Sequence, residues 1–525
     1  MTRQPGTTRR IDEGYPFPGR SGRHPREHLK AVRISDKLAC VRRLPRNSKH
    51  TVIVGMVYAA VLCASLLFTQ EAFALDFIQA RGAKLFTAGK EIQLRGTNLG
   101  NWQLQEDFLF GLYGTHTQMR SAMSTVLGKQ NAEAFWDEYE SVYYTDRDAA
   151  FLEKKGFNVM RVPLNENRIE DPNQPGHYDE TALRRLDDVV RINKAHGIYV
   201  ILDLHAVMGG QSREVYADSI SSIPEFWRYA DFRKRATALW VALAKRYKNE
   251  PGVAGFDLMN EPNTQGHTEL LTAWLRETHL QIRAVDPVHL IWLSGDDWGK
   301  GFQGLPDAFW EDKQAVFEFH IYPDFTFPLD KMTDYPQTVE GVRYDRGWLR
   351  ERLHEKIAFG RRRPVLMGEF GFSLYEGQIN QLQAMVRDML SIANEEGWSW
   401  TEWTYKDFGE MGLVSRRADT PWKKFLSSPE VNAEREKARV LYAVRGAGPQ
   451  TDGFLARITD SIASHFEPGT KHRFYLRVQR VFDEELTYAI VYRLKEKNEA
   501  ELRQLADSFA FDSCAASPEL AEIFP

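Results

Sequence analysis

Cysteine is nearly absent. The 525 residues hold three, Cys40, Cys63 and Cys514, and the first two fall within the first 74 residues. A chain that loses that segment keeps one thiol and can form no internal disulfide. There is no HExxH and no cysteine pair, and His205 and His320 stand without a local cluster of ligands. Metal use is therefore not expected, and no cofactor is expected either. No GxSxG occurs, so a nucleophilic serine is unsupported. Acidic residues outnumber basic ones outside the N-terminus. Residues 1–50 carry 13 Lys/Arg against 4 Asp/Glu while the whole chain sums to −4, so the body that follows is acidic. An acidic body argues against nucleic acid and against anionic polysaccharides as the main partner, and fits neutral ligands.

One apolar run, residues 51–68, follows Arg42, Arg43, Arg46 and Lys49 and leads to Ala72-Phe73-Ala74. This is the layout of a signal peptide with an A-x-A site, and cleavage after Ala74 is expected to leave a secreted or periplasmic protein beginning at Leu75. The alternative is a membrane anchor over 51–68, for which the run is a little short. Residues 1–40 are polar, rich in Arg, Gly and Pro, and aperiodic, which predicts disorder; translation is expected to begin near Val41. The domains expected are a leader over 1–74, a catalytic barrel over 75–444 and an extension over 445–525.

The body has a regular beat. After a hairpin around Arg81-Gly82-Ala83, strands are predicted over 91–98, 158–163, 199–205, 253–259, 289–294, 315–322, 364–367 and 398–403. Helices fall between them, over 180–196, 231–247, 269–284, 338–359, 379–396 and 422–442, with others running to about residue 155. Eight strands alternating with helices predict an α/β fold, a closed (β/α)8 TIM barrel, over an open doubly wound sheet. No glycine-rich phosphate loop follows the first strand, as such an open sheet would want. Beyond the beat, helical spacing over 455–465 and 484–509 and a strand over 473–478 predict a small α/β or helical extension. Leu505, Phe509 and Phe511 need a large surface to bury against, so it should pack on the barrel.

Two stretches share one form. Gly255-Phe256-Asp257-Leu258-Met259-Asn260-Glu261-Pro262 and Pro364-Val365-Leu366-Met367-Gly368-Glu369-Phe370-Gly371 are short apolar strands that end in a glutamate. Two strand-end glutamates are what a retaining glycosidase needs, one as acid/base and one as nucleophile, with carboxyl groups about 5–5.5 Å apart. The other strand ends supply Arg161, His205, Asn260, His320, Tyr322 and Trp403. Arg161 and Tyr322 can hydrogen-bond a nucleophilic carboxylate, Asn260 can grip a hydroxyl beside the reacting carbon, and Trp403 can carry a pyranose face. Each has a bland reading, as structural histidine, core tryptophan or strand-end salt bridge; the case rests on their falling at the same ends of one barrel.

These motifs, Arg161-Val162-Pro163, Asp203-Leu204-His205, Asn260-Glu261-Pro262, His320-Ile321-Tyr322, Gly368-Glu369-Phe370-Gly371 and Trp400-Thr401-Glu402-Trp403, resemble glycoside hydrolase family 5, the cellulase-like retaining enzymes of clan A. The resemblance implies Glu261 as acid/base and Glu369 as nucleophile. It implies a sugar-binding role for Arg161, His205, Asn260, His320, Tyr322 and Trp403. Residues 95–102 and 204–211 are similar to the exo-β-1,3-glucanase branch and related β-glucosidases, apart from Asn101 where that branch has Gly and Asp107 where it has Pro. The branch also implies that Glu106 holds the terminal sugar and closes the cleft into a pocket. The expected partner is then a β-linked glucan, oligosaccharide or glucoside, with a membrane involved only through an uncleaved leader. Alternatives are an endo-β-glucanase, a glycolipid-directed enzyme using Phe325, Phe327 and Leu329 as an apolar platform, and a non-catalytic sugar-binding barrel. Glu261 is expected to be kept protonated by its surroundings while Glu369 is ionised, giving a bell-shaped pH profile.

Overall fold

In the computed structural model the described residues are 75–300, 309, 311–357, 363–374, 378–441, 460–462, 465 and 470–524. The predicted leader and its apolar run, and most of the predicted helix over 455–465, lie outside them. Eight parallel strands close on themselves: β1 Arg95–Asn98, β2 Val159–Asn165, β3 Tyr199–Ala206, β4 Val253–Asp257, β5 Leu290–Leu293, β6 Ala315–His320, β7 Val365–Glu369 and β8 Ser399–Glu402. Each pairs with its successor, and β8 pairs with β1 through Trp400, Thr401 and Glu402 opposite Arg95, Gly96 and Thr97. Strands β2 to β8 are buried at every position, as parallel strands covered on both faces must be. This is the (β/α)8 barrel.

The helices are α1 His116–Leu127, α2 Lys129–Tyr143, α3 Asp146–Lys154, α4 Glu180–Ala195, α5 Ala230–Tyr247, α6 Thr268–Arg283, α7 Arg346–Lys356, α8 Ile379–Glu396, α9 Pro429–Leu441, α10 Thr470–Val491 and α11 Glu499–Ala506. Their starts follow capping chemistry. Asp179 accepts from the Thr181 and Ala182 amides, and Thr115 and Gln118 form a capping box. An antiparallel meander, Gln79–Arg81, Lys84–Thr87 and Lys90–Ile92, closes the amino ends of the strands, packing Ile78, Ala80 and Leu85 on Val159, Tyr199 and Val316. With that end plugged by apolar side chains, polar chemistry is left to the carboxyl ends.

Four local expectations are corrected. The strand over 91–98 is two: Lys90–Ile92 belongs to the meander and β1 begins at Arg95. The helix over 338–359 opens instead with a hairpin, Gln337–Val339 on Val342–Tyr344, turned by Glu340 and Gly341 with φ of 50° and 85°. Helix α7 starts after that, capped by Asp345. The helix over 422–442 is broken between Pro421–Leu426 and α9, where Pro429 brings no amide hydrogen to continue the first piece. Residues 473–478 are helical, inside α10. A GxGxxG spacing does occur, Gly299-Lys300-Gly301-Phe302-Gln303-Gly304, but it comes after β5 of a closed barrel, not after the first strand of an open sheet.

The chain after 470 packs against the barrel's helices and loops. Thr487 donates to the Tyr113 carbonyl (2.7 Å) and accepts from its amide (2.9 Å). Strand Cys514–Ala516 pairs antiparallel with Val414–Arg416. Phe509, Phe110, Tyr139 and Trp422 form an aromatic cluster, with Phe509 centroids 4.6 to 5.9 Å from the other three. Leu505 and Phe509 thus find the burial their composition demands.

Candidate active site

The strand ends assemble one constellation. Arg161 comes from β2, Asp203 and His205 from β3, Glu318 and His320 from β6, and Glu369 ends β7. Asn260 and Glu261 follow β4, Tyr322 follows β6, and Trp403 follows β8. Glu106 lies on the loop after β1 and is 3 % exposed.

Glu369 is held from both sides. Arg161 Nη1 donates to its Oε1 and the Tyr322 hydroxyl donates to its Oε2, each at 2.9 Å. His320 Nδ1 faces the same Oε2 at 3.4 Å. The flanking glycines are required by close approach of the protein itself. A Cβ on Gly368 would meet Glu318 Oε2 at 2.6 Å, and one on Gly371 would meet the Trp403 carbonyl at 2.5 Å.

Glu261 stands opposite in a strained backbone, with φ of 40°. His320 Nδ1 lies 2.7 Å from its Oε1, and Tyr216 hydrogen-bonds it as well. Side-chain oxygens of Glu261 and Glu369 and a ring nitrogen of His320 all lie within 4.8 Å of one another. Nearest oxygens within 4.8 Å accord with the retaining separation of about 5–5.5 Å between carboxyl groups rather than the roughly 6.5–9.5 Å an inverting pair needs to admit a water.

The proton is not where it was expected. Burial raises Glu261, but the hydrogen bond and charge of His320 outweigh it and hold the carboxyl below its ordinary value. Burial lowers His320, but Glu369, Glu261 and Glu318 around it push it well above the usual imidazole range. The free site therefore keeps one proton on the His320–Glu261 hydrogen bond, on the imidazole side. The same three side chains are spaced to hold a metal ion, but a cation there would compete with a charged His320.

Below them lies a floor of buried charge. Arg161, fully buried, reaches Asp257 at 2.8 Å, Asp203 at 3.2 Å and Glu318 at 3.5 Å, besides Asn98 and Asn260. Burial and the adjacent Glu318 raise Asp257 well above the carboxylate range. Burial opposes ionisation of Glu318 too, but Arg161 and His320 bring it down to about 2. Asp257 is thus the protonated member and donates to Glu318, which relieves the repulsion of two neighbouring carboxylates. His205 is satisfied within the protein: Nδ1 donates to Asp203 (2.6 Å), Nε2 accepts from Asn260 (3.1 Å), and the ring stacks on Trp403 at 5.2 Å.

Residues 116–409 match the family described as Cellulase (glycosyl hydrolase family 5). The chain is 30 % identical over 469 residues to a β-xylosidase of Phanerodontia chrysosporium, covering 84 % of this chain and 96 % of that one. The chain belongs to glycoside hydrolase family 5. It is a retaining β-glycosidase of clan A. It is also 26 % identical over 282 residues to a probable glucan 1,3-β-glucosidase A of Aspergillus niger, covering 52 % of this chain and 66 % of that one. Among solved structures, an endoglucanase of the hyperthermophile Thermotoga maritima superposes with a TM-score of 0.45 at 20 % identity, covering 61 % of this chain and 91 % of that one.

All nine residues singled out in the sequence of this family 5 chain meet at the carboxyl ends of the barrel. Glu106 joins through Tyr322, on whose hydroxyl its charge acts. The two departures from the branch have local reasons. Asn101 has φ of 65°, the left-handed region that Gly adopts freely and Asn tolerates best among other residues. Asp107 is the first residue of the helical turn Asp107–Phe110, a position that suits Pro and also an acidic side chain. The sequence reading gave no role to Asp257, Glu318, Tyr216 and Gln211. Gln211 Nε2 donates to the carbonyls of His205 (2.7 Å) and Asn260 (2.9 Å), fixing one strand end to the next. Asp203 and Glu318 each sit two positions before a histidine already singled out, so strand alternation puts them on the same inward face.

Proposed function

We propose that this protein is an exported exo-β-glycosidase that removes terminal sugars from neutral β-linked saccharides by double displacement. Glu369 attacks the anomeric carbon and forms a carbon–oxygen bond as the glycosidic bond breaks, and Glu261 delivers a proton to the departing oxygen. Glu261 then takes a proton from water, which attacks the same carbon and releases Glu369. Arg161 and Tyr322 aim Glu369, and His320 carries the proton that Glu261 passes on. Trp403 and Asn260 bind the sugar being cleaved.

The observation that carries the exo reading is Glu106. Its carboxylate is buried at the cleft beside Tyr322, where Leu109, Met411, Phe108 and Trp403 pack into a small apolar cluster. A buried acceptor there can take hydrogen bonds from the outermost hydroxyls of a chain end. The β-xylosidase and glucan 1,3-β-glucosidase relatives support a terminal glucose or xylose as the sugar removed.

The test is a panel of β-linked gluco- and xylo-oligosaccharides, polymers and aryl glycosides with the chain from Leu75 onward. Monosaccharide should be the first product, and Glu106→Ala should lower kcat/KM by roughly 1.5–3 kcal/mol equally on aryl glycosides and oligosaccharides, the worth of a charge-assisted hydrogen bond. A fast viscosity drop with few new reducing ends would show internal cutting and remove that role. The Ala72-Phe73-Ala74 site supports export; N-terminal sequencing of the exported form should read from Leu75, and an intact basic leader would contradict it.

A further inference from the structure

A connection longer than about 12–15 residues is uncommon in a compact domain and usually functional. The one between β3 and α5 runs over residues 207–229, with a single helical turn at Glu225–Arg228. It brings Tyr216 to the site. Tyr216 hydrogen-bonds Glu261, and its ring meets His205 edge to face, with centroids 6.1 Å apart. Burial holds the phenol well above its ordinary 10 and the charge of Glu261 adds to that, so the hydroxyl donates and the carboxylate accepts.

Two residues on, Asp218 fixes the loop. It is buried and has φ of 51°, in the left-handed region that Asp tolerates better than most residues. Such a conformation persists where the surroundings over-determine it, and here they do. The Thr117 amide donates to Oδ1 (2.8 Å), while the Thr117 hydroxyl (2.6 Å), Asn165 Nδ2 (3.0 Å) and Asn167 Nδ2 (3.0 Å) donate to Oδ2. Asn165 cannot turn its amide round, because its Oδ1 takes the Asn167 amide at 3.0 Å. Thr117 lies in the first turn of α1 and Asn165 ends β2. One carboxylate thus ties together the connections that follow β1, β2 and β3, and every group around it is a donor. Helix α10 grips the same loop: Arg480 Nε donates to Ser222 Oγ (3.3 Å), Arg480 Nη2 donates to the Arg213 carbonyl (3.4 Å), and Ser222 Oγ donates to the Leu476 carbonyl (3.4 Å).

We propose that Tyr216 and Asp218 are positioning residues for Glu261, Asp218 fixing the loop so that the Tyr216 hydroxyl stays on the Glu261 carboxylate and keeps it a base in the second half of the reaction. The inference rests on the reading of Glu261 as acid/base. In the glycosyl-enzyme Glu369 is an uncharged ester, and Glu261 must be a carboxylate to take a proton from the attacking water. A donated hydrogen bond favours that form, so removing the donor raises the pH below which the base is lost. Among the described residues the other titratable groups acting on Glu261 are His320, His205, Glu369, Tyr322 and Lys356.

The test is the pH dependence of kcat on a dinitrophenyl β-glycoside, whose leaving group departs readily so that hydrolysis of the glycosyl-enzyme sets the rate. Tyr216→Phe should move the acid limb up by about one pH unit, the worth of one hydrogen bond to a charged group. Asp218→Asn, which keeps the shape but turns an NH2 toward a donor, should move it the same way by less. In the Tyr216→Phe background Asp218→Asn should add no further shift, since it acts through Tyr216. If Asp218→Asn does not fold, Thr117→Val, which removes one of the donors, gives the same comparison. An acid limb unmoved by Tyr216→Phe overturns the proposal. So does an Asp218→Asn variant that loses rate equally at every pH, or whose shift adds in full to that of Tyr216→Phe. A Glu261→Ala variant that hydrolyses the glycosyl-enzyme at the wild-type rate overturns the reading of Glu261 instead.

Discussion

Replacing Glu369 by Gln lowers kcat on the order of 10⁵-fold while the protein stays folded. The amide keeps the shape of the carboxylate: its oxygen can still accept from Arg161 and its NH2 can donate to the Tyr322 hydroxyl, two groups that each donate to Glu369 at 2.9 Å. It cannot attack the anomeric carbon, and losing the nucleophile of a concerted site costs nearly all the rate that site supplies. The fold survives because Arg161 retains Asp203, Asp257 and Glu318 as partners, so no buried cation is left unpaired. Turnover and a circular-dichroism melt on the same sample check both halves. Near-normal activity in a folded variant contradicts the assignment.

Glu261→Ala is expected to separate the two half-reactions. With a sugar as leaving group the loss should be roughly 10²–10⁴-fold, the usual worth of a positioned proton donor. With a dinitrophenyl leaving group, which departs without protonation, formation of the glycosyl-enzyme should be nearly unaffected and its hydrolysis should limit the rate. Azide needs no base and should restore turnover, giving a β-glycosyl azide. The pH profile follows from where the proton sits. Glu369, Glu261 and Glu318 raise His320 above its ordinary 6.5, so the proton of the His320–Glu261 pair is retained through that value and lost above it. The alkaline limb of kcat/KM should therefore lie above pH 6.5, and His320→Gln should move it to lower pH, where a carboxyl without its partner titrates. Absence of azide rescue, or an alkaline limb unmoved by His320→Gln, counts against Glu261 and His320 acting as a pair.

The barrel was legible because its strands are short apolar runs at regular spacing, and burial on both faces leaves no other composition for them. The site was legible because a barrel sends every strand end to one face, so Arg161, His205, Glu261, His320 and Glu369 needed only to be found at those ends. What stayed hidden depends on contacts across the chain. Tyr216 lies on a long aperiodic loop and meets Glu261 only once β3 and β4 are neighbours. Asp257 sits inside an apolar strand, and its proton depends on Glu318, 61 positions away. The direction of Glu261 was misjudged for the same reason: burial alone would have kept it protonated, and the opposing His320 is 59 positions away. The hairpin at Glu340-Gly341 was missed because the charged stretch 338–359 has no apolar period strong enough to separate strand from helix.

The most direct test of the two-glutamate account is to trap the intermediate. A 2-deoxy-2-fluoro β-glycoside with a dinitrophenyl leaving group slows both steps but spares the first through its activated leaving group, so the glycosyl-enzyme accumulates. Mass spectrometry of the intact protein should show one added fluorosugar, and peptide sequencing should place it on Glu369, in the stretch Met367-Gly368-Glu369-Phe370-Gly371. A label on Glu261, on any other residue, or none at all under conditions of rapid dinitrophenol release would contradict the account.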